Sequence, residues 1–182
     1  MTDKPLRSFT AWACLLVPLV LGIAADLYTK YASFNALVID RQMVDGRTVL
    51  DSRTYELIPG FLHLHAHVNY GAVFGIGQGQ RPLFLVVSVV AIALLMVLFA
   101  NSQRQRLYQV LLGILFAGVL GNLYDRMTYG HVRDMIYAFP KWGIFPWIFN
   151  IADMMLCVGV AGMFVYSLIT RPAEPARVLT QP

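Results

Sequence analysis

Pro82-Leu83-Phe84-Leu85-Val86-Val87-Ser88-Val89-Val90-Ala91-Ile92-Ala93-Leu94-Leu95-Met96-Val97-Leu98-Phe99-Ala100 contains no ionisable side chain, and no charge occurs between Arg81 and Arg104. A helix rises about 1.5 Å per residue, so about 20 apolar residues cross the roughly 30 Å hydrocarbon layer of a bilayer. This stretch therefore predicts a membrane-spanning helix. Three more follow on the same grounds: Phe9 to Ala25, closed by Asp26; Leu107 to Tyr124, free of charge; and Pro146 to Thr170, with Asp153 as its one charge. The expected helices run over about 9–27, 82–101, 107–125 and 146–170. Loops of about 28–81 and 126–145 separate them, and 171–182, with Pro172, Pro175 and Pro182, reads as a flexible tail.

The whole chain agrees. Of its 182 residues 58% are hydrophobic and only 13% charged, against about 25% charged in a soluble domain. Such a chain cannot cover a water-facing surface, and it is too apolar to be disordered. Two cysteines do not make a disulfide framework, and Cys14 and Cys157 read as inert packing residues. The net charge of +4 is read by position rather than as a nucleic-acid footprint. The expected fold is an all-α membrane protein of four helices in one domain, with a small β-sheet and loop region lying on the membrane.

Lys4, Arg7, Arg104, Arg106, Arg171 and Arg177 crowd the short segments on one side, while the other basic residues are spread over the two long loops. The positive-inside rule makes the first side cytoplasmic. Both termini then lie inside and the long loops outside. The first span has features of a cleavable signal peptide, but it is read as a retained helix because Asp26 and Lys30 stand just beyond it.

In the first outer loop, Asp45-Gly46 reads as a turn between strand-like runs. Phe61-Leu62-His63-Leu64-His65-Ala66-His67-Val68 alternates at period two, which predicts a strand with His63, His65 and His67 on one face. Three such histidines can bind zinc. The plainer reading, adopted here, is an amphipathic strand with its polar side in water. Gly71, Gly75 and Gly77 are candidate hinges for a closing loop. Tyr129, Tyr137, Trp142 and Trp147 read as an interfacial aromatic belt.

The acids carry the chemistry. An aspartate in an apolar helix is costly and is a functional hypothesis by default. Asp26 ends span one, Asp125 closes span three, Asp134 lies in the loop after it, and Asp153 falls about two turns into span four. All four are expected at one depth, near the outer interface. Asn122 with Asp125, and Asn150 with Asp153, are spaced i, i+3 and share helix faces; Asp26 and Lys30 are spaced to pair. Arg126 and Arg133 can neutralise carboxylates. Asp125 sits at a helix C-terminus, where the dipole disfavours charge, so it reads as a structural acid; Asp153 sits near an N-terminus. Two carboxylates held close share a proton, so one can take a proton from water while the other donates to a carbonyl. No serine in a span has a base nearby, and no phosphate-binding or dinucleotide motif occurs.

Asp26-Leu27-Tyr28-Thr29-Lys30, Asn69-Tyr70-Gly71-Ala72-Val73-Phe74, Gly121-Asn122-Leu123-Tyr124-Asp125-Arg126, His131-Val132-Arg133-Asp134 and Phe149-Asn150-Ile151-Ala152-Asp153 occur in this order. With the four spans, they make the chain resemble the bacterial lipoprotein signal peptidases (signal peptidase II) from about residue 10 to residue 170. The resemblance implies an aspartyl endopeptidase of the inner membrane that cuts prolipoproteins before their diacylglyceryl-modified cysteine. It implies Asp134 and Asp153 as the catalytic pair. Asn69, Gly71, Asn122, Arg126 and Asn150 become substrate-positioning or supporting residues, Asp125 a structural acid, and Asp26 with Lys30 the close of the first helix. No cofactor or metal is implied, the partners are lipidated prolipoproteins and the bilayer, a monomer suffices, and the cyclic peptide globomycin would inhibit. The sequence departs from the family pattern at Arg133 and Met135 around Asp134, at Val73, and in a longer first loop with Asp40 to Arg53 as the insertion.

Two other classes compete. A small proton-coupled transporter or channel subunit would use intramembrane aspartates, but at several depths. A scaffold would use polar residues only to join helices, which leaves the two Asn-x-x-Asp pairs and Asp134 without a purpose.

Overall fold

The computed structural model describes residue 6 and residues 8–71, 77–142 and 147–170. The expected tail at 171–182 and the candidate hinge Gly75 lie outside the described residues. The chain runs α1 (Phe9–Leu37), β1 (Val38–Val44), β2 (Arg47–Ser52), β3 (Thr54–Ile58), β4 (Leu62–Asn69), α2 (Arg81–Ala100), α3 (Arg106–Thr128), β5 (Val132–Ala138), β6 (Ile148–Phe149) and α4 (Ile151–Ile169). All four helices are long and apolar enough to cross a membrane.

Helix α3 is the hub. In its most apolar window 56% of residues are buried, against 17%, 11% and 11% in α1, α2 and α4. Its sequence is also the least apolar of the four, so it belongs inside the bundle. Leu112, Leu115 and Phe116 of α3 meet Ala11 and Leu15 of α1 and Leu95 and Phe99 of α2. Small residues let the backbones close up. A Cβ on Gly118 would stand 2.7 Å from the Ala152 carbonyl oxygen, and one on Gly121 would stand 2.5 Å from an Asp26 carboxylate oxygen. The outward faces of α2 and α4 expose Val86, Val90, Leu94, Val97, Val158, Phe164 and Leu168. An apolar surface of that extent needs lipid rather than water around it.

Helix α1 is ten residues longer than its apolar run predicts, ending at Leu37 instead of about 27. Hydropathy finds only the part that lies in hydrocarbon. Beyond it the helix continues because Phe34 and Leu37 pack on Ala66 of the sheet. The first loop is correspondingly shorter. Helix α4 begins later than expected, at Ile151 rather than 146, because Ile148 and Phe149 pair with β5 and Asn150 caps the helix.

β1 and β2 form a two-stranded hairpin turned by Asp45 and Gly46, both at positive φ. β3-β4-β5-β6 form a four-stranded antiparallel sheet. The β4–β5 register shifts between Leu64 and His67, so His63 faces Tyr137 and His67 faces Asp134. Tyr137 and Asp134 are an odd number of residues apart, so the expected single histidine face is split: His67 lies on the opposite face from His63. A bulge adds one residue to one strand and so reverses alternation beyond it.

Candidate active site

Both ends of the sheet–bundle junction meet at one group of side chains. Asp134 is on strand β5, not in a loop, and its neighbour across the register is His67. Asp153 is in the first turn of α4 rather than two turns in. Asn150 and Asp153 form a reciprocal cap: the Asp153 N–H donates to Asn150 Oδ1 at 2.9 Å and the Asn150 N–H to Asp153 Oδ2 at 3.3 Å. The capping geometry orients the Asp153 carboxylate, and the N-terminus of α4 favours its negative charge.

Three asparagines tie the two carboxylates together. Asn150 Nδ2 donates to Asp134 Oδ1 at 2.6 Å, and Asn69 Nδ2 donates to Asp134 Oδ2 at 3.0 Å. Asn122 Nδ2 donates to Asp153 Oδ1 at 2.8 Å. Asn122 Oδ1 in turn accepts from Asn150 Nδ2 at 3.2 Å and from Lys30 Nζ at 3.3 Å. Two donors on the amide oxygen fix which end of Asn122 faces Asp153. Asn122 thus serves the aspartate of another helix, not Asp125 one turn away. Helix periodicity shows only partners on the same helix, which is why the sequence pairing was incomplete.

Behind this lies a closed charge network. Lys30 Nζ is 2.7 Å from Asp26 Oδ2 and 3.3 Å from Asp125 Oδ2, all three side chains fully buried. Arg133 grips Asp125 through its backbone N–H at 2.9 Å and through NH2 at 2.8 Å. Asp26 Oδ1 accepts the Ala152 N–H at 2.8 Å, near the start of α4. Two acids and two bases balance, and each charge has hydrogen-bonding partners, which burial demands. The tie from Asp26 to α4 had no signal in the sequence.

Arg126 donates to the Gly71 carbonyl at 2.9 Å, and the Gly71 N–H donates to Asn69 Oδ1 at 2.9 Å. The Arg126 guanidinium also covers the Phe84 ring at 4.8 Å. Arg126 therefore links α3, α2 and the segment after β4. A cavity of about 180 Å³ opens beside Asp153, walled by Phe84, Val87, Ala91, Val119 and Leu156 and bordered by Asn122 and Arg126. α2 and α4 flank it without substantial packing between them, whereas α1 and α4 both pack on α3.

Burial drives the Asp134 carboxyl up to about 7, with the neighbouring Asp153 charge as the second cause. The asparagine donors only partly offset this. The histidines of β4 are placed otherwise: His65 Nδ1 is 3.0 Å from Thr54 Oγ1, and His63 is 3.9 Å from Glu56. Among the described residues no three His, Cys, Asp or Glu side chains are grouped as metal ligands. Cys157 is exposed on α4 and Cys14 is half-buried.

Two amide-bridged carboxylates thus meet where the sheet joins the helix bundle. Comparison with known proteins shows the family. A family model described as signal peptidase (SPase) II matches residues 19–169. The lipoprotein signal peptidase of Staphylococcus haemolyticus (strain JCSC1435) is 35% identical over 147 residues, covering 76% of this chain and 87% of that protein. Its counterpart in Staphylococcus carnosus (strain TM300) is 35% identical over 141 residues, covering 72% and 84%. A solved structure of a bacterial membrane enzyme superposes with a TM-score of 0.73 at 28% identity, covering 96% of this chain and 99% of that one. A second superposes at 0.68 with 30% identity, covering 94% and 99%. The chain belongs to the signal peptidase II family and is an aspartic peptidase.

Proposed function

We propose that this peptidase removes signal peptides from diacylglyceryl-modified prolipoproteins by cutting before the lipidated cysteine. Asp134 and Asp153 are the catalytic pair. The observation that carries this assignment is the Asn150 bridge, which holds Asp134 Oδ1 at 2.6 Å while capping Asp153. Close, buried carboxylates cannot both ionise easily, so the pair holds one proton. The ionised member takes a proton from water as the water attacks the scissile carbonyl carbon. The protonated member donates to the carbonyl oxygen, giving a neutral tetrahedral gem-diol. In its collapse one carboxyl protonates the leaving nitrogen while the other takes a proton from a gem-diol hydroxyl; the C–N bond breaks, and the pair again holds one proton.

Asn69, Asn122 and Asn150 position the carboxylates; Arg126 and Gly71 hold the segment after β4 against α3. Asp125, Asp26 and Lys30 sustain the junction from behind. The gap between α2 and α4 suits lateral entry of a signal helix from the bilayer, with an apolar residue in the cavity beside Asp153. The chain acts as one multi-pass domain and as a monomer in the bacterial inner membrane. Both termini lie in the cytoplasm, and the sheet lies on the outer surface. Globomycin would block the same site. Incubating the purified protein in nanodiscs with lipidated and unlipidated forms of one prolipoprotein tests the substrate class. Cleavage of the lipidated form alone supports it, and equal cleavage of both contradicts it.

A further inference from the structure

A second cavity, about 440 Å³, lies on the other side of the catalytic strand. Side chains alternate along β5, so Arg133 faces this cavity while Asp134 faces the asparagines. Its other walls come from Tyr31 and Phe34 of α1, Arg41 and Thr48 of the β1–β2 hairpin, and His131.

The lining contains two arginines and no acid. The nearby Asp40 carboxylate is occupied by the Arg41 N–H at 2.7 Å and Gln42 Nε2 at 2.9 Å. Asp125 is taken up by Arg133 and Lys30. His131 is 9% exposed, and its buried Nδ1 has no hydrogen-bond partner. A buried polar nitrogen without a partner costs free energy that a ligand oxygen would recover. The ring is largely neutral: burial lowers its affinity for a proton to a value of about 4. A neutral imidazole has one N–H, for which an anion here competes with the Tyr129 carbonyl.

We propose that this cavity binds a phosphate-type anion between Arg41 and the His131 ring. Its depth favours the phosphodiester of a membrane phospholipid over free phosphate. The 29 residues of α1 span about 43 Å, well beyond a hydrocarbon layer of roughly 30 Å. Tyr31 and Phe34 therefore stand at headgroup level. Exposed Met43 on the same hairpin supplies an apolar contact for the upper acyl chain.

The test is charge reversal at Arg41, which is exposed and outside the catalytic group. Arg41→Glu is compared with Arg53→Glu, an equal charge change away from the cavity. Native mass spectrometry reads retained phosphatidylglycerol, and the His131 Nδ1 resonance reads titration with inorganic phosphate in detergent. The expected result is an R41E-specific fall in lipid retention of about tenfold, the worth of one charge-assisted hydrogen bond. Response to lipid alone assigns the occupant to a lipid headgroup, and response to inorganic phosphate alone assigns it to a soluble phosphate. Equal lipid retention in R41E and R53E, with a His131 resonance unmoved by phosphate, overturns the proposal.

Discussion

Replacing Asp134 by asparagine separates the chemical role of the residue from its cost to the fold. Asp134 is fully buried, and its carboxyl is raised from 3.8 to about 7, chiefly by desolvation. A group raised in the folded state supports folding below its unfolded value and loses that support as pH climbs through the folded value. At 1.36 kcal/mol per unit, the ionisation penalty is about 4 kcal/mol above pH 7 and less than half of that at pH 5. Asparagine removes this penalty at every pH. It also turns an NH2 towards one of the two donors, Asn69 or Asn150, which costs about 1–3 kcal/mol independent of pH. D134N should therefore unfold at higher temperature than the wild type at pH 8, with that advantage smaller by about 2–3 kcal/mol at pH 5, while cleaving nothing. Thermal unfolding in nanodiscs, both proteins side by side at the two pH values, reads the change in their Tm difference. A constant difference in Tm across that range would refute the claim that Asp134 carries a desolvated charge.

Four further outcomes are expected. kcat/KM should fall as pH rises through about 7, because Asp134 then ionises and the pair loses its shared proton, and a pH–rate profile on lipidated substrate shows it. Asn122→Ala removes the 2.8 Å donor to Asp153 and should slow single-turnover cleavage by about 30- to 100-fold; it also withdraws an acceptor from buried Lys30 and Asn150 and should lower Tm, at a cost of about 1–3 kcal/mol. Lys30→Met strands Asp26 in the interior, leaving Asp125 to Arg133 alone, and should destabilise by about 3–5 kcal/mol, visible as loss of folded protein, with partial recovery in K30M/D26N. Gly121→Ala puts a methyl 2.5 Å from the Asp26 carboxylate and 3.2 Å from the Ala152 Cβ, and should cost about 1–3 kcal/mol, measured as a lower Tm.

The membrane spans are legible in the sequence because hydrocarbon acts on every residue of a span alike, so Pro82 to Ala100 needs no tertiary knowledge. The grouping of Asp26, Asp125 and Asp153 is legible for a related reason: position along each span is counted from its ends, and Asp134 follows Asp125 closely in the chain. What escapes is set by contacts between elements. The extra turns of α1 exist because Phe34 and Leu37 find Ala66. Asp134 is on a strand whose register is broken by a bulge in β4, and period-two counting along His63 to His67 cannot reveal a bulge. Val132-Arg133-Asp134-Met135-Ile136 does not alternate apolar with polar, so period two does not mark it as a strand. Asn122 turned from Asp125 to Asp153 because Lys30 and Asn150 claim its oxygen, a choice made by three different helix segments.

In the proposed mechanism Asp134 and Asp153 together activate the water that cuts a lipidated prolipoprotein. The most direct measurement is the single-turnover rate on that substrate for wild type, D134N and D153N, each shown to be folded and inserted. Both variants should lose essentially all cleavage, at least about 10³-fold, since neither half of the pair can perform both proton transfers. Near-normal turnover by either variant would contradict the claim.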